Sequence, residues 1–578
     1  MKVFFRFFRD YPRESILAPL FKLLEAGFDL LVPLVIASII DRGIGGGDTA
    51  YILRMAGVLV LLAFVGLVSV VTAQYFAAKA AVGTAANIRR DLFAHMQSFT
   101  YTETDGMGIP TMITRMTSDV NQVQSGINMA LRLTLRSPVI VFGSMIVAFT
   151  IDVRLALIFA AAIPVIAAVV FGIMLGGIPL YKKVQTKLDE VTGRTRENLG
   201  GVRVIRAYRR EQDEIAAFDR ITGEHTVLQN RAGRLSALMN PLTYVLINLA
   251  VVLIIYCGAP AVDTGRLTQG EVVALVNYMG QILIELVKLA NLILLLTKAA
   301  ACSARVQSVL EMPVGLSVIP EHAPAETGAD TPAVSFDHVS LTYSGGAAPS
   351  LCDVTFSAPA GSTVGIIGGT GAGKTSLVNL IPRFYEATEG SVRVMGHDVS
   401  SYDPADLRAH IGAVPQKAEL FRGTIRSNLL WGANGAPVTD DDLWRALDVA
   451  QAADFVREKD GGLDAPVEQK GRNFSGGQKQ RLTIARALVG SPDILILDDS
   501  ASALDFATDA ALRKALRTLD GMTTFIISQR TSSIRACDQI IVLDEGRVAA
   551  IGTHEDLLAS CPLYREIHES QFGGGDRT

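Results

Sequence analysis

Gly368-Gly-Thr-Gly-Ala-Gly-Lys374-Thr375 decides the architecture of the C-terminal half of this chain. The segment fits G-x-x-x-x-G-K-[ST], with the apolar run Thr363–Ile367 before it and the helix-compatible stretch Leu377–Ile381 after it. Strand, loop and helix therefore fall in register. Gly368, Gly369, Gly371 and Gly373, with the small Thr370 and Ala372 between them, let the backbone curl. Its N–H groups and the following helix N-terminus then face phosphate charge. Lys374 is placed to reach the outer phosphates of a nucleotide, Thr375 to ligate Mg²⁺ and Ser376 to contact an inner phosphate. Further along, Asp498 ends the apolar run Ile494-Leu-Ile-Leu, the usual place for a carboxylate that positions Mg²⁺ through water. Tyr343, on a loop after an expected strand, is a candidate to stack on adenine. Gln416, in Val414-Pro-Gln416, follows another strand and is a candidate sensor of the metal and the attacking water.

The N-terminal half has a different character. A chain of 578 residues suits two or three domains, and 49% hydrophobic residues exceed what a soluble protein of this size carries. Six stretches can cross a bilayer, at about 16–40, 52–78, 127–150, 154–178, 237–260 and 271–297. The turns near Asp41–Ala50, Ile151–Val153 and Asp263–Gln269 are short and nearly uncharged. The other connections are long and basic, with Arg89, Arg90 and Arg115 in one and Lys182, Lys183, Lys187, Arg194, Arg203, Arg206, Arg209 and Arg210 in the other. Basic loops stay in the cytosol, so both termini are expected there. Helical patterning over 78–125 and 180–236 predicts that helices continue beyond the bilayer.

Residues 1–312 thus read as an all-α six-helix transmembrane domain, 313–332 as a Pro-rich linker, 333–578 as an α/β domain and Gly573–Thr578 as a frayed tail. Met1–Arg9, basic and aromatic, predicts a short amphipathic helix on the inner membrane face rather than a signal peptide. Cys257, Cys302, Cys352, Cys537 and Cys561 show no pairing rhythm and read as free, buried thiols.

Ser475-Gly476-Gly477-Gln478, the following Lys-Gln-Arg481, Asp498 and the Ser502–Asp505 loop resemble an ATP-binding cassette (ABC) domain. The six-helix part before it resembles an exporter-type half-transporter, and Thr424–Asn428 and Lys298–Arg305 are further marks of the family. The resemblance implies a head-to-tail pair of such domains. Each ATP then lies between the phosphate loop of one domain and the Phe474–Gln478 segment of the other, with Asp505 alongside. It also implies that residues near Thr104–Met112 and Ala207–Glu214 form short transverse helices that dock on the ATP domains.

Two positions depart from the family pattern. The family has Glu after the magnesium-site Asp, where this chain has Asp499, and a His where it has Gln529. Asp499 is one methylene short for polarising water, and an amide cannot carry the charge of an imidazole. With Phe474 the only change in its signature segment, the chain resembles the degenerate-site subunit of a heterodimeric bacterial multidrug exporter. Its partner is then a homologous half-transporter carrying the Glu and the His. Small hydrophobic or amphipathic compounds and membrane lipid are the other expected partners, with no nucleic acid. ATP and Mg²⁺ are the expected cofactors.

Asn277, Gln281, Glu285, Lys288 and Asn291 share one face of the sixth span, and Glu25, Asp29 and Asn248 are candidates to join them along a substrate pathway. Pairing of Glu285 with Lys288 is the competing expectation. A lipid flippase, a siderophore-type importer, a nucleotide-gated regulatory or channel-like subunit and a slowly hydrolysing homodimer all remain compatible with these residues.

Overall fold

The computed structural model describes residues 3–313, 331–343, 346, 348–435, 437–500, 503–519 and 521–572. Most of the expected linker (314–330), Ser502 and the tail from Gly573 lie outside these residues. The chain forms two compact units, Met1–Gln97 with Pro110–Met312, and Ser98–Ile109 with Pro313–Thr578.

Six long apolar helical spans build the first unit: Pro12–Ile44, Thr49–Gln97, Ile109–Ile151, Val153–Gly200, Glu211–Asp263 and Gln269–Leu310. The second span has 49 residues, about 70 Å at the helical rise, against about 30 Å of hydrocarbon. Helix therefore continues well past the apolar stretch, as the patterning predicts. The short turns are closed by side chains. Asp152 caps the fourth span by accepting from Arg154 N at 2.8 Å and Leu155 N at 3.0 Å. Thr268 and Glu271 cap the sixth reciprocally. There Gly270 N donates to Asp41 at 2.7 Å, and a Cβ on Gly270 would meet Ala37 O at 2.3 Å. Only glycine permits that approach. Arg305 grips Asp119 through two nitrogens, at 3.0 and 2.6 Å, joining the end of the sixth span to the start of the third.

Two expectations need correction here. The N-terminal helix is Arg6–Asp10, shorter than expected; Phe4 and Phe7 are buried, and Arg6 pairs with Asp91 at 2.7 Å. All five cysteines are free, but Cys257 is exposed and Cys352 half-buried. Cys257 lies on an all-apolar stretch of the fifth span, where helix position and not hydrophobicity decides which face is covered.

Among the described residues of the second unit there are twelve strands: β1 (Val334–Leu341), β2 (Leu351–Ala358), β3 (Thr363–Gly368), β4 (Glu389–Val394), β5 (His397–Asp398), β6 (Ile411–Val414), β7 (Gly423–Thr424), β8 (Pro466–Val467), β9 (Ile494–Asp498), β10 (Thr523–Ile527), β11 (Gln539–Asp544) and β12 (Arg547–Gly552). One sheet runs β2-β1-β4-β5 and is antiparallel. The main sheet runs β12-β11-β3-β10-β9-β6, parallel except for its edge strand β12. β9 and β10 are buried at every residue, as parallel strands covered on both faces must be. A helical lobe around Gly476–Leu488 and Asp440–Val449 shares a core with the main sheet, Ile367, Leu497 and Ile526 among its residues.

The transverse helix expected near Thr104–Met112 is Tyr101–Met107, and it packs within this second unit. Tyr101 lies 4.6 Å from Phe384 between ring centroids, and Tyr385 donates to Asp105 at 2.6 Å. The other loop tip forms the short helix Val202–Ala207 within the first unit.

Candidate nucleotide site

Four adjacent parallel strands, β3, β10, β9 and β6, carry the expected site residues at their C-terminal ends. The register sets Ile527 opposite both Ile366 and Asp498, and Val414 opposite Leu497. The phosphate loop leaves β3 at Gly368, Gln529 is two residues past β10, Asp499 one past β9, and Gln416 two past β6. One edge of one sheet thus gathers residues that are far apart in sequence, the usual location of ligand sites in open α/β sheets.

The loop itself is built by close approach. Gly373 has φ +91°, and a Cβ there would lie 2.7 Å from Ser350 O. At Gly368 a Cβ would lie 2.3 Å from Leu543 O. Lys374 Nζ donates to the carbonyls of Gly368 at 2.9 Å and Gly369 at 2.6 Å. Burial lowers its pKa, while Asp499 and Asp498 act in the opposite sense. These carbonyls hold the ammonium where phosphate oxygens would compete for it. Tyr343 donates to Ser376 Oγ at 2.8 Å, with its ring edge-to-face against Tyr385 at 4.9 Å. The expected adenine platform therefore sits beside the phosphate loop.

Thr375 Oγ1 donates to Asp498, 3.0 Å from one carboxylate oxygen and 3.3 Å from the other. Asp498 is 8% exposed. Burial raises its pKa, with the Asp499 charge adding to the rise against the Thr375 hydrogen bond and Lys374. A hydroxyl and a buried carboxylate that is costly to ionise form a hard-oxygen pair, and this fits Mg²⁺. Asp499, half-buried, adopts φ +46° as the chain turns off the strand. Gln416 Nε2 lies 3.5 Å from its Oδ2. Gln529 is exposed.

Ser475 caps the 13-residue helix Gly476–Leu488. Gln478 N donates to Ser475 Oγ at 3.2 Å, and Ser475 N donates to Gln478 Oε1 at 3.0 Å. Asp505 caps Phe506–Leu516 by accepting from Thr508 N at 2.9 Å and Thr508 Oγ1 at 2.8 Å, which holds its pKa low. Phe474 departs from its expected role toward nucleotide. Its ring is 6% exposed in the core of the helical lobe, with Lys459 Nζ 4.6 Å from the ring centroid. A large apolar ring gains more from that core than from an aqueous interface. Asn428, within the Thr424–Asn428 mark, is buried and closes its turn through Phe421 N, Phe421 O and Thr424 O, at 2.8–2.9 Å.

Among the described residues of the first unit, the expected pathway residues separate. Glu285 is buried and does not line an open cavity. Arg136 binds it at 2.6 Å, Lys288 at 2.8 Å and Ser137 Oγ at 2.7 Å. Arg136 also meets Asp29 at 2.8 Å and Glu25 at 3.4 Å, and Lys22 pairs with Glu25 at 2.5 Å. Three cations thus neutralise three anions, because a lone buried charge is too costly. Asp29 and Lys288, each 42% exposed at the side chain, form the open edge. Gln281 donates to Asp29 O at 3.4 Å, while Asn277, Asn291 and Asn248 are exposed and make no hydrogen bond in this cluster. Sequence reading missed Arg136, although a charge inside the 127–150 stretch is itself the signal.

Comparison with known proteins agrees with this geometry. Residues 15–286 match the ABC transporter transmembrane region, and residues 351–502 match the ABC transporter family. An uncharacterized ABC transporter ATP-binding protein of Mycobacterium tuberculosis is 36% identical over 97% of both chains. One of Bacillus subtilis is 34% identical over 98% of both. An ATP-dependent lipid A-core flippase of Vibrio vulnificus is 27% identical over 98% of this chain and 97% of its own. In fold, a solved structure of a bacterial Atm1-family ABC exporter with ATP bound superposes with a TM-score of 0.80, at 24% identity, over 98% of this chain and 99% of that one. The chain therefore belongs to the ABC transporters, joining a six-span membrane region to an ABC transporter domain in the fold of that exporter.

Proposed function

We propose that this chain is one half of a heterodimeric exporter in a bacterial cytoplasmic membrane, moving hydrophobic or amphipathic compounds outward at the expense of ATP. Its own site binds ATP but turns it over slowly, and its Ser475–Gln478 segment completes the active site of a homologous partner. One observation carries the reading. Asp499 directly follows Asp498 at the end of β9, and Gln529 lies two residues past the end of the neighbouring β10, while the Ser475 cap is intact. Both substitutions therefore bear on one γ-phosphate, and neither touches what is lent to the partner.

Lys374 and the loop N–H groups bind phosphate, and Tyr343 supports adenine. Mg²⁺, held between Thr375 and Asp498, would neutralise phosphate charge when bound. Asp499 is too short to reach the attacking water, and a misplacement of about 1 Å costs on the order of 100-fold in rate. Ser475 and its helix N-terminus supply donors to the nucleotide of the partner. Closure of the two ATPase domains then selects the outward-facing state, because nucleotide binds the closed form more tightly. The basic long loops support cytosolic termini.

The test is turnover by the purified pair. Changing the catalytic glutamate of the partner to Gln is expected to reduce hydrolysis by about 100-fold or more, whereas Asp499→Asn changes it less than about threefold. The reverse pattern overturns the reading. A lipid cargo is the second reading, supported by the likeness to the Vibrio vulnificus flippase. Fluorescent-lipid translocation in proteoliposomes, set against efflux of amphipathic dyes, separates the two.

A further inference from the structure

The segment that carries Gln529 is held by the C-terminal helix. After β10, Ser528–Arg530 leads into the short helix Thr531–Ile534. Gln571, in helix Pro562–Phe572, donates from Nε2 to Gln529 O at 2.7 Å. Its Oε1 accepts from Thr531 N at 2.9 Å and from Thr531 Oγ1 at 3.1 Å. His568 Nδ1, one helical turn earlier, lies 3.1 Å from the same hydroxyl. A single amide thus closes the backbone groups on both sides of Arg530, whose guanidinium lies 5.0 Å from the centroid of the Phe506 ring. Thr531 is 0% exposed, and Gln571 supplies the partner of its N–H.

The helix is itself anchored. Tyr564 is 0% exposed in the core shared by the main sheet and the helical lobe, and its hydroxyl lies 2.8 Å from His554 Nδ1. The backbone of Gln529 is therefore tied, through Gln571, to a fixed element far away in sequence.

We infer that Gln571 is a positioning residue for the γ-phosphate response at this site, holding the Gln529 amide where it can tell a nucleoside triphosphate from a diphosphate. The inference rests on the reading of Gln529 as the γ-phosphate contact. Both residues act at this chain's own site, so the ATP-over-ADP preference of this chain is the direct readout.

Chain-resolved photolabelling of the full-length complex with 8-azido-ATP, competed by ATP or by ADP, gives that preference for this chain alone. Gln571→Ala is expected to lower it about tenfold, with ADP competition unchanged. Gln571→Glu keeps the acceptor for Thr531 but loses the donor to Gln529, and is expected to fall between the two. It also decides the matter if Gln571→Ala does not fold. The inference is overturned if Gln529→Ala abolishes the preference while the folded Gln571 variants retain it. If Gln529→Ala leaves the preference intact, the γ-phosphate reading of Gln529 fails and takes this inference with it.

Discussion

At the residue scale, the missing methylene of Asp499 and the buried charge of Asp498 make separate demands. Asp499→Glu restores the reach toward water, so turnover at this site is expected to rise about 10- to 100-fold. Phosphate release from a pair whose partner glutamate has been changed to Gln measures it. No rise would assign the slow step to Gln529. Asp498 has a pKa raised above its ordinary value, chiefly by burial. The folded state then holds a proton that the unfolded chain has lost. Stability without nucleotide falls as pH rises from the ordinary carboxylate value through the raised one. Asp498→Asn removes that penalty. It is expected to raise the melting temperature of the nucleotide-free protein at neutral pH while abolishing Mg²⁺-dependent ATP binding. A lowered melting temperature would mean that the Thr375 hydrogen bond outweighs desolvation.

At the element scale, ion pairs bring the first, third and sixth spans together at Arg136. Arg136→Met leaves Glu285 and Glu25 buried without that partner, which costs about 3–5 kcal/mol. Asp29→Asn, at the half-exposed edge, costs under about 1 kcal/mol. Thermal unfolding in detergent should separate them clearly, and equal losses would mean that the edge is as dry as the centre. This cluster also marks where sequence reading stops. The six spans were legible because about 20 apolar residues in helical form have few alternatives in a membrane protein. The phosphate loop and Asp498 were legible because each is marked by the apolar run and small residues beside it, although Thr375 and Asp498 meet only across the sheet. The pairing of Glu285 with Lys288 was the competing expectation, but Glu285 was misplaced because its other partners, Arg136 and Ser137, lie on another span, and a polar stripe looks the same whether it meets water or an arginine. Phe474 was misread for a related reason: adjacency to Ser475 in sequence says nothing about which way its ring turns. The hold of Gln571 on Gln529 needs a fold to bring residues 42 apart together.

At the scale of the whole molecule, the proposal divides one chain between two active sites, and the division is measurable through Ser475. The Ser475 cap is made within its own helix, so Ser475→Ala removes a hydroxyl that serves the fold and the neighbouring nucleotide together. The loss to the fold alone is about 1 kcal/mol, typical of a helix N-cap. The loss to the nucleotide is of another kind, since a donor to a transition-state oxyanion is worth about 100-fold in rate. In a purified heterodimer, Ser475→Ala is therefore expected to reduce ATP turnover at least about tenfold while this chain still photolabels with nucleotide. The matching serine change in the partner, which would face the slow site, is expected to cost less than about twofold. Equal losses from the two changes would mean that both sites hydrolyse alike, and Asp499 would then be a working base in a symmetric machine.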